Sequence, residues 1–256
     1  MIKIATFNAN SIRSRLEIVK DWLSNNRPDV LCVQETKVQD KDFPLDEFAG
    51  SGYDIVFRGQ KSYNGVATFS RLPIEEVEYG LDDEPKDEPR IIRTKIKGIN
   101  IVNTYVPQGN SPESDKFQYK LQWYARLKRY FAKRFTTDDM VAWLGDMNVA
   151  PTDIDVHNPA ALLGHVCFRP EVWEAFADVK SWGFTDILRK HYPEEIIYTF
   201  WDYRGGSYHN NRGWRIDHIL TTPPLAAKSI KCYVDKTPRE QEKPSDHTFF
   251  VAEFDI

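Results

Sequence analysis

Six short apolar runs recur from the first residues of the chain to the last: "IKIATFN" at 2–8, "DVLCVQE" at 29–35, "INIVNTY" at 99–105, "MVAWLGD" at 140–146, "WRIDHIL" at 214–220 and "TFFVAEF" at 248–254. Their β-branched and aromatic content favours strands over helices. Many of them stop on a polar side chain. In "VAWLGDMNV" at 141–149 the run breaks into Gly145, Asp146, Met147 and Asn148, so a carboxylate and a carboxamide stand where burial should continue. Side chains two apart in an extended strand share a face, which predicts that Asp146 and Asn148 project together as a polar fork from the strand's C-terminal end.

Helical segments lie between these runs. Residues 14–26 carry Leu16, Val19 and Leu23 at helical spacing and end in Asn25 and Asn26 before Pro28. A second helix is expected to start near Ser111 as N-cap, with Pro112 in its first turn, and to run through Phe117, Leu121, Tyr124, Phe131 and Phe135. A third follows Pro170, with Val172, Phe176 and Val179 inward and Gly183 as its stop. Strands mixed with flanking helices imply two sheets, or one large sheet, covered by helices. No Gly/Ser-rich linker or low-complexity tract divides the 256 residues, so one domain over 1–256 is expected.

Composition narrows the function classes. At 41% hydrophobic residues there is material for a large core, yet no apolar run approaches the roughly 20 residues that span a bilayer. The start "MIKIATFNAN" reads as a strand, not a signal peptide, so a soluble cytoplasmic protein is expected. The three cysteines, Cys32, Cys167 and Cys232, cannot all pair and read as reduced thiols. A formal charge of −4 argues against a general polyanion binder, so any nucleic-acid affinity must come from a local patch.

The polar residues at the run ends are Asn8, Asn10, Glu35, Tyr105, Asp146, Asn148, Asp217 and "SDH" at 245–247. A single one is usually solvated or caps a turn. Several converging from distant segments would make a site. Carboxylates and amides with one histidine and no cysteine pair suit a hard cation, Mg²⁺ or Mn²⁺, better than structural zinc, and Glu35 is the first candidate ligand. Sites of this kind commonly act on phosphate esters. The chain has neither a Walker lysine loop nor a glycine-rich cradle, which argues against P-loop nucleotide hydrolysis.

The blocks "FNANSIRSR", "LCVQETK", "YNGVATFS", "NTYVPQG", "WLGDMNVAP", "YTFWDYR", "NRGWRIDHIL" and "KPSDHTFFV" stand in an order that resembles the exonuclease III type of apurinic/apyrimidinic endonucleases, within the endonuclease/exonuclease/phosphatase superfamily. The resemblance covers nearly the whole chain. It implies a four-layered α/β sandwich, two mixed β-sheets packed face to face with helices on the outer faces and the site at one end. Glu35 matches the metal carboxylate, with Asn8 and Asn10 beside it; many relatives carry Asp where this chain has Asn10. Asp146 matches the residue that activates the attacking water, and Asn148 the one that orients water or phosphate. His247 matches the phosphate-contacting histidine, hydrogen-bonded to the carboxylate matched by Asp217, with Asp246 near the metal and Tyr105 near the phosphate or leaving group. A carboxylate at Asp217 would favour imidazolium on His247.

Substrate choice rests on a second set. Phe200, Trp214 and Ile216 match the apolar pocket that receives a baseless deoxyribose, and a site lacking its base costs least to flip from the helix. Arg13, Lys37, Tyr63, Asn64, Arg204 and Arg212 lie in or near the motifs and could contact the DNA backbone. Trp201 and Tyr203 are expected to pack in the core. Arg126, Arg129 and Lys133 are expected to form a solvated helix face. His157, His165, His191, His209 and His218 read as surface or satisfied core residues. The expectation is a monomeric Mg²⁺-dependent phosphodiesterase that cuts double-stranded DNA 5′ to abasic sites, with 3′→5′ exonuclease activity. Its rivals are an inactive nucleic-acid-binding protein of the same fold and a phosphoesterase acting on lipid or inositol phosphates.

Overall fold

The structure is a computed structural model that describes residues 1–84, 86 and 88–256. Its strands are β1 (Ile2–Asn8), β2 (Val30–Gln34), β3 (Asp54–Arg58), β4 (Val66–Ser70), β5 (Ile74–Tyr79), β6 (Ile91–Ile96), β7 (Ile99–Tyr105), β8 (Val141–Asp146), β9 (Thr185–Asp186), β10 (Asp217–Thr221), β11 (Ser229–Asp235) and β12 (Phe249–Phe254). They form two six-stranded sheets, ordered β11-β12-β1-β2-β4-β3 and β5-β6-β7-β8-β10-β9. Each sheet is mixed: β1 runs parallel to β2 and β7 parallel to β8, and the other pairs are antiparallel. The helices are α1 (Leu16–Asn26), α2 (Asp115–Arg134), α3 (Pro159–Leu162), α4 (Pro170–Lys180), α5 (Ile187–His191) and α6 (Pro223–Ala226).

Strand alternation builds the layers. On β1, Ile2 and Ile4 enter the core between the sheets, where they meet Ile101, Leu144, Ile219 and Ala252, while Ala5 and Phe7 face out against Val19, Trp22 and Leu23 of α1. On β8, Ala142 and Leu144 face the inter-sheet core, and Val141 and Trp143 pack outward on Tyr124, Leu127 and Phe131 of α2 and Val172 and Phe176 of α4. A strand buried on both faces therefore reads as continuous apolar sequence. The four layers match the sandwich that the sequence implied.

Half of the strands escape the sequence reading. The edge strands β3, β5 and β11 leave much of their length to solvent, so "IEEVEY" at 74–79 has no sustained apolar run. β6 hides Arg93, whose guanidinium lies 2.6 Å from Glu76 and 2.8 Å from Glu78 on β5. The run 214–220 is divided: Trp214 makes only isolated bridges with Val156 and Phe200, and β10 begins at Asp217.

The expected cap of the second helix is also corrected. Ser114, not Ser111, is the N-cap of α2, because the Ser114 hydroxyl accepts from the Phe117 N–H at 3.3 Å while it donates to the carbonyls of Gly109 and Ser111. Pro112 lies in the preceding turn.

Candidate active site

The C-terminal ends of the parallel strands β1, β2, β7 and β8 lie at one end of the sandwich, where the antiparallel β10 and β12 begin. Asp146 is opposite both Tyr105 and Asp217 in register. Beyond the strands the loops are fastened to each other: Ser11 N–H donates to Glu35 O at 2.8 Å, Lys37 N–H to Asn64 O at 2.9 Å, Val106 N–H to Asp146 O at 2.9 Å and Met147 N–H to Ile216 O at 2.9 Å. The Ser245 hydroxyl donates to Asn8 O at 2.7 Å. Distant segments of sequence thus meet on a hydrogen-bonded rim.

Side chains close the site. The Asn8 amide donates to Glu35 Oε1 and Asp146 Oδ2, both at 2.8 Å, so one carboxamide ties the two sheets' carboxylates together. His247 Nδ1 lies 2.8 Å from Asp217 Oδ2, and its Nε2 is 3.8 Å from Asp146 Oδ2. Phe200 bridges the backbone of His247 and sets its ring edge-on at 4.9 Å, which holds the imidazole's orientation. Burial would push the His247 imidazole down, but the carboxylates of Asp217 and Asp146 outweigh it and hold the ring protonated, as expected. Burial, with Asp217 and Glu35 adding, raises the Asp146 carboxyl against the opposing pull of His247. Burial next to Glu35 and Asp146 raises Tyr105, whose ring lies 4.9 Å beneath the Arg90 guanidinium.

The fork at Asp146 and Asn148 forms differently from its sequence expectation. Strand β8 ends at Asp146, and Asn148 has φ +49°, so no extended backbone joins them. The two are brought together by a turn in which Asn148 N–H donates to Asp146 Oδ1 at 2.9 Å.

Glu35, Asp146 and His247 offer atoms that all lie within 4.8 Å of one another. Protonated on both nitrogens, His247 has no lone pair for a metal. Glu35 fits better, and Lys37 shows why: its ammonium sits 2.8 Å from Glu35 Oε2 and 2.5 Å from Asn10 Oδ1, so a cation already occupies this carboxylate's open side. The Asn10 amide donates to Asp246 Oδ1 at 3.0 Å, which aligns Glu35, Asn10 and Asp246 as an oxygen-rich patch suited to a hard divalent ion. Lys37, expected to reach DNA, is turned inward here instead.

Phe200, Trp214 and Ile216 line one wall of a pocket of about 290 Å³ whose floor is Glu35, Tyr105, Asp146, Asn148, Asp246 and His247. A neighbouring groove of about 750 Å³ shares Tyr105 and Gln108 and carries Tyr63, Asn64, Lys86, Arg90 and Lys116. Arg13, Arg204 and Arg212 are exposed and line neither cavity.

Two other expectations change, and a third residue holds its expected place but adds to the pocket. Tyr203 is half exposed and is no core residue: its hydroxyl accepts from Arg15 at 2.5 Å and donates to Pro244 O at 2.9 Å. Arg126 is buried on Asp83, with 2.9 Å from Nε to Oδ2, so it is not a solvated face. His165 is exposed as expected, yet it joins the pocket with its ring 4.8 Å from Trp214.

The sequence reading missed Arg15, Arg90, Gln108, Lys120 and Cys167. Arg15 and Gln108 stood inside quoted motifs, whereas Lys120 lies within α2 with no local signal.

A model of the endonuclease/exonuclease/phosphatase family matches residues 5–247. An exodeoxyribonuclease III of Haemophilus influenzae is 32% identical, with 99% of this chain and 100% of that protein covered. Among solved structures, an AP endonuclease from Archaeoglobus fulgidus is 54% identical with a TM-score of 0.98, and a 3′ phosphatase NExo from Neisseria, bound to product DNA hairpin, is 37% identical with a TM-score of 0.97. Both align over 100% of each chain. With the strand-end carboxylates, the buried imidazolium and the two mixed sheets, these likenesses show that the chain belongs to the endonuclease/exonuclease/phosphatase family, in its exonuclease III branch.

Proposed function

We propose that this chain is a DNA-repair phosphodiesterase, a single domain over 1–256 acting as a monomer, that hydrolyses double-stranded DNA 5′ to an abasic site and leaves 3′-hydroxyl and 5′-deoxyribose-phosphate ends. A 3′→5′ exonuclease activity accompanies it. The observation that carries this reading is the joining of two walls in one pocket: acidic and cationic groups on one side, and an apolar niche of Phe200, Trp214 and Ile216 on the other.

Asp146 holds a water through Oδ2 and accepts its proton as the oxygen attacks phosphorus. The bond from phosphorus to the upstream 3′-oxygen breaks, and that oxygen takes a proton from solvent. Raised basicity suits Asp146 to the task, because a base near the working pH accepts a proton most effectively. His247 donates its Nε2–H to a phosphoryl oxygen, with Asp217 stabilising the charge behind it. Tyr105 stays protonated and offers its hydroxyl as a donor near the phosphate. A Mg²⁺ or Mn²⁺ ion held by Glu35 and Asp246, with Asn10 between them, would supply positive charge to the phosphate and leaving oxygen.

A labelled duplex bearing one abasic analogue tests the reading. Cleavage 5′ to the analogue that depends on added Mg²⁺ and stops with chelator is expected. Equal or faster release of phosphate from an inositol phosphate, with the duplex left intact, would overturn it.

A further inference from the structure

Behind the pocket wall lies a buried cation that the mechanism does not use. Lys120, in the second turn of α2, is fully buried. Its ammonium donates to the backbone carbonyls of Gln108 at 3.1 Å, Asn148 at 2.7 Å and Val166 at 2.6 Å, and lies 3.9 Å from Cys167 Sγ. Three N–H donors meet three carbonyls from three separate loops, each of which brings a residue to the pocket: Gln108, Asn148 and Cys167. A buried ammonium is costly unless so satisfied, and its surroundings therefore have little freedom to rearrange.

Cys167 links this cation to the Asn148 side chain. Its thiol donates to Asn148 Oδ1 at 3.8 Å, while Asn148 Nδ2 donates to Val106 O at 2.9 Å. The positive charge beside the sulfur repels the thiol proton and directs it away from Lys120, toward Asn148. With Oδ1 committed to Cys167 and one N–H to Val106, the carboxamide has one N–H left. In the flipped orientation Oδ1 would oppose the Val106 carbonyl and the amide N–H₂ would oppose the thiol proton.

We propose that Lys120 and Cys167 are positioning residues for the hydrolysis: they form a buried relay that fixes the Asn148 carboxamide so that its free N–H faces the scissile phosphate. The inference rests on the proposed role of Asn148 at the phosphate. Lys120 holds the loops in register, and Cys167, together with the Val106 carbonyl, selects the end of the amide that meets the substrate.

Single-turnover cleavage and equilibrium binding of an abasic duplex, at one salt concentration, test the relay on Cys167→Ala, Cys167→Ser, Asn148→Ala and the Cys167→Ala/Asn148→Ala pair. Weak thiol donors contribute modestly, so Cys167→Ala is expected to slow cleavage about 3- to 10-fold with binding changed less than about twofold. Cys167→Ser, which keeps a donor, is expected to stay within about threefold of wild type. In the Asn148→Ala background Cys167→Ala should cost nothing further, because a residue acting through another has no effect once that partner is gone. A slow Asn148→Ala alongside wild-type cleavage by Cys167→Ala, or an equal loss from Cys167→Ala in both backgrounds, overturns the relay alone. Wild-type cleavage by Asn148→Ala removes the role of Asn148 itself, and the relay falls with it.

Discussion

Five residues of the site hold left-handed backbone: Asn10 at φ +45°, Glu35 at +51°, Lys37 at +52°, Asn64 at +52° and Asn148 at +49°. Asparagine tolerates this region, but glutamate and lysine there are uncommon and cost on the order of 1 kcal/mol or more each. The rim hydrogen bonds hold them there, and the resulting turns aim Glu35 and Asn148 into the pocket. At this scale the sharpest expectation concerns Asp146. Asp146→Asn keeps the side chain's size but puts an NH2 in place of one of the two oxygens that accept from the Asn8 amide and the Asn148 N–H, and it removes proton acceptance, so single-turnover cleavage should fall roughly 10²-fold or more. Binding of the abasic duplex should hold or tighten, since a negative charge facing phosphate is gone. Near wild-type cleavage by this variant would make the Asp146 turn purely structural.

At the scale of elements, the site depends on how closely β7 and β8 approach. Gly145 has φ +134°, and a Cβ there would sit 2.0 Å from Thr104 O on β7. Gly145→Ala should therefore destabilise the protein by about 2 kcal/mol or more, as overpacking does, and should also slow cleavage by displacing Asp146 next to it. Urea unfolding together with cleavage would check both effects; an unchanged midpoint contradicts the close approach. The segment 198–201, bridged to Trp214, plays the corresponding part for the apolar wall. Trp214→Ala removes that wall and leaves the carboxylates in place. The ratio of cleavage at an abasic site to that of undamaged duplex is expected to fall several-fold, and an unchanged ratio would leave Trp214 as packing only.

Across the whole molecule, buried ionic groups clamp the sheet beneath the site. Arg215 is fully buried, with Nε 2.6 Å from Asp155 Oδ1 and Nη1 2.8 Å from Asp186 Oδ2. Against burial, which would raise it, Arg215 and Arg189 hold the Asp155 carboxyl down to about 2. Close by, His218 bonds the Val149 carbonyl at 2.8 Å, and burial, with Arg215 adding, pushes its imidazole down to about 4. The unfolded histidine titrates near 6.5, so between the two values the unfolded chain binds more protons. Stability should then fall as pH drops from about 6.5 to about 4, by up to ~3 kcal/mol from this group, and this contribution should level off below. His218→Gln should flatten the slope across that window, as measured by urea unfolding at several pH values. Parallel slopes for wild type and variant would show that His218 does not stay neutral.

Of the strands buried on both faces, β1, β2, β8 and β12 were legible in the sequence because their apolar runs are continuous, whereas β4, buried along its whole length, was not, since Thr68 and Ser70 interrupt its run. The polar residues ending the continuous runs were legible as a site for the same reason: a carboxylate such as Asp146 at the end of such a run stands out against its neighbours. The order of motifs identified the family and its four layers. Edge strands such as β5, whose outer residues meet solvent, carried no such contrast. Nor did the sequence show that Asn148 meets Asp146 through a left-handed turn, that Lys37 folds back onto Glu35, or that Lys120 buries its ammonium beneath Asn148. The first two join residues only two apart but depend on left-handed turns that the rim hydrogen bonds hold, and the third reaches backbone carbonyls, which every residue has, 12, 28 and 46 residues away. Local sequence determines which side chains can reach the pocket; only packing of the two sheets and their loops decides what each one touches.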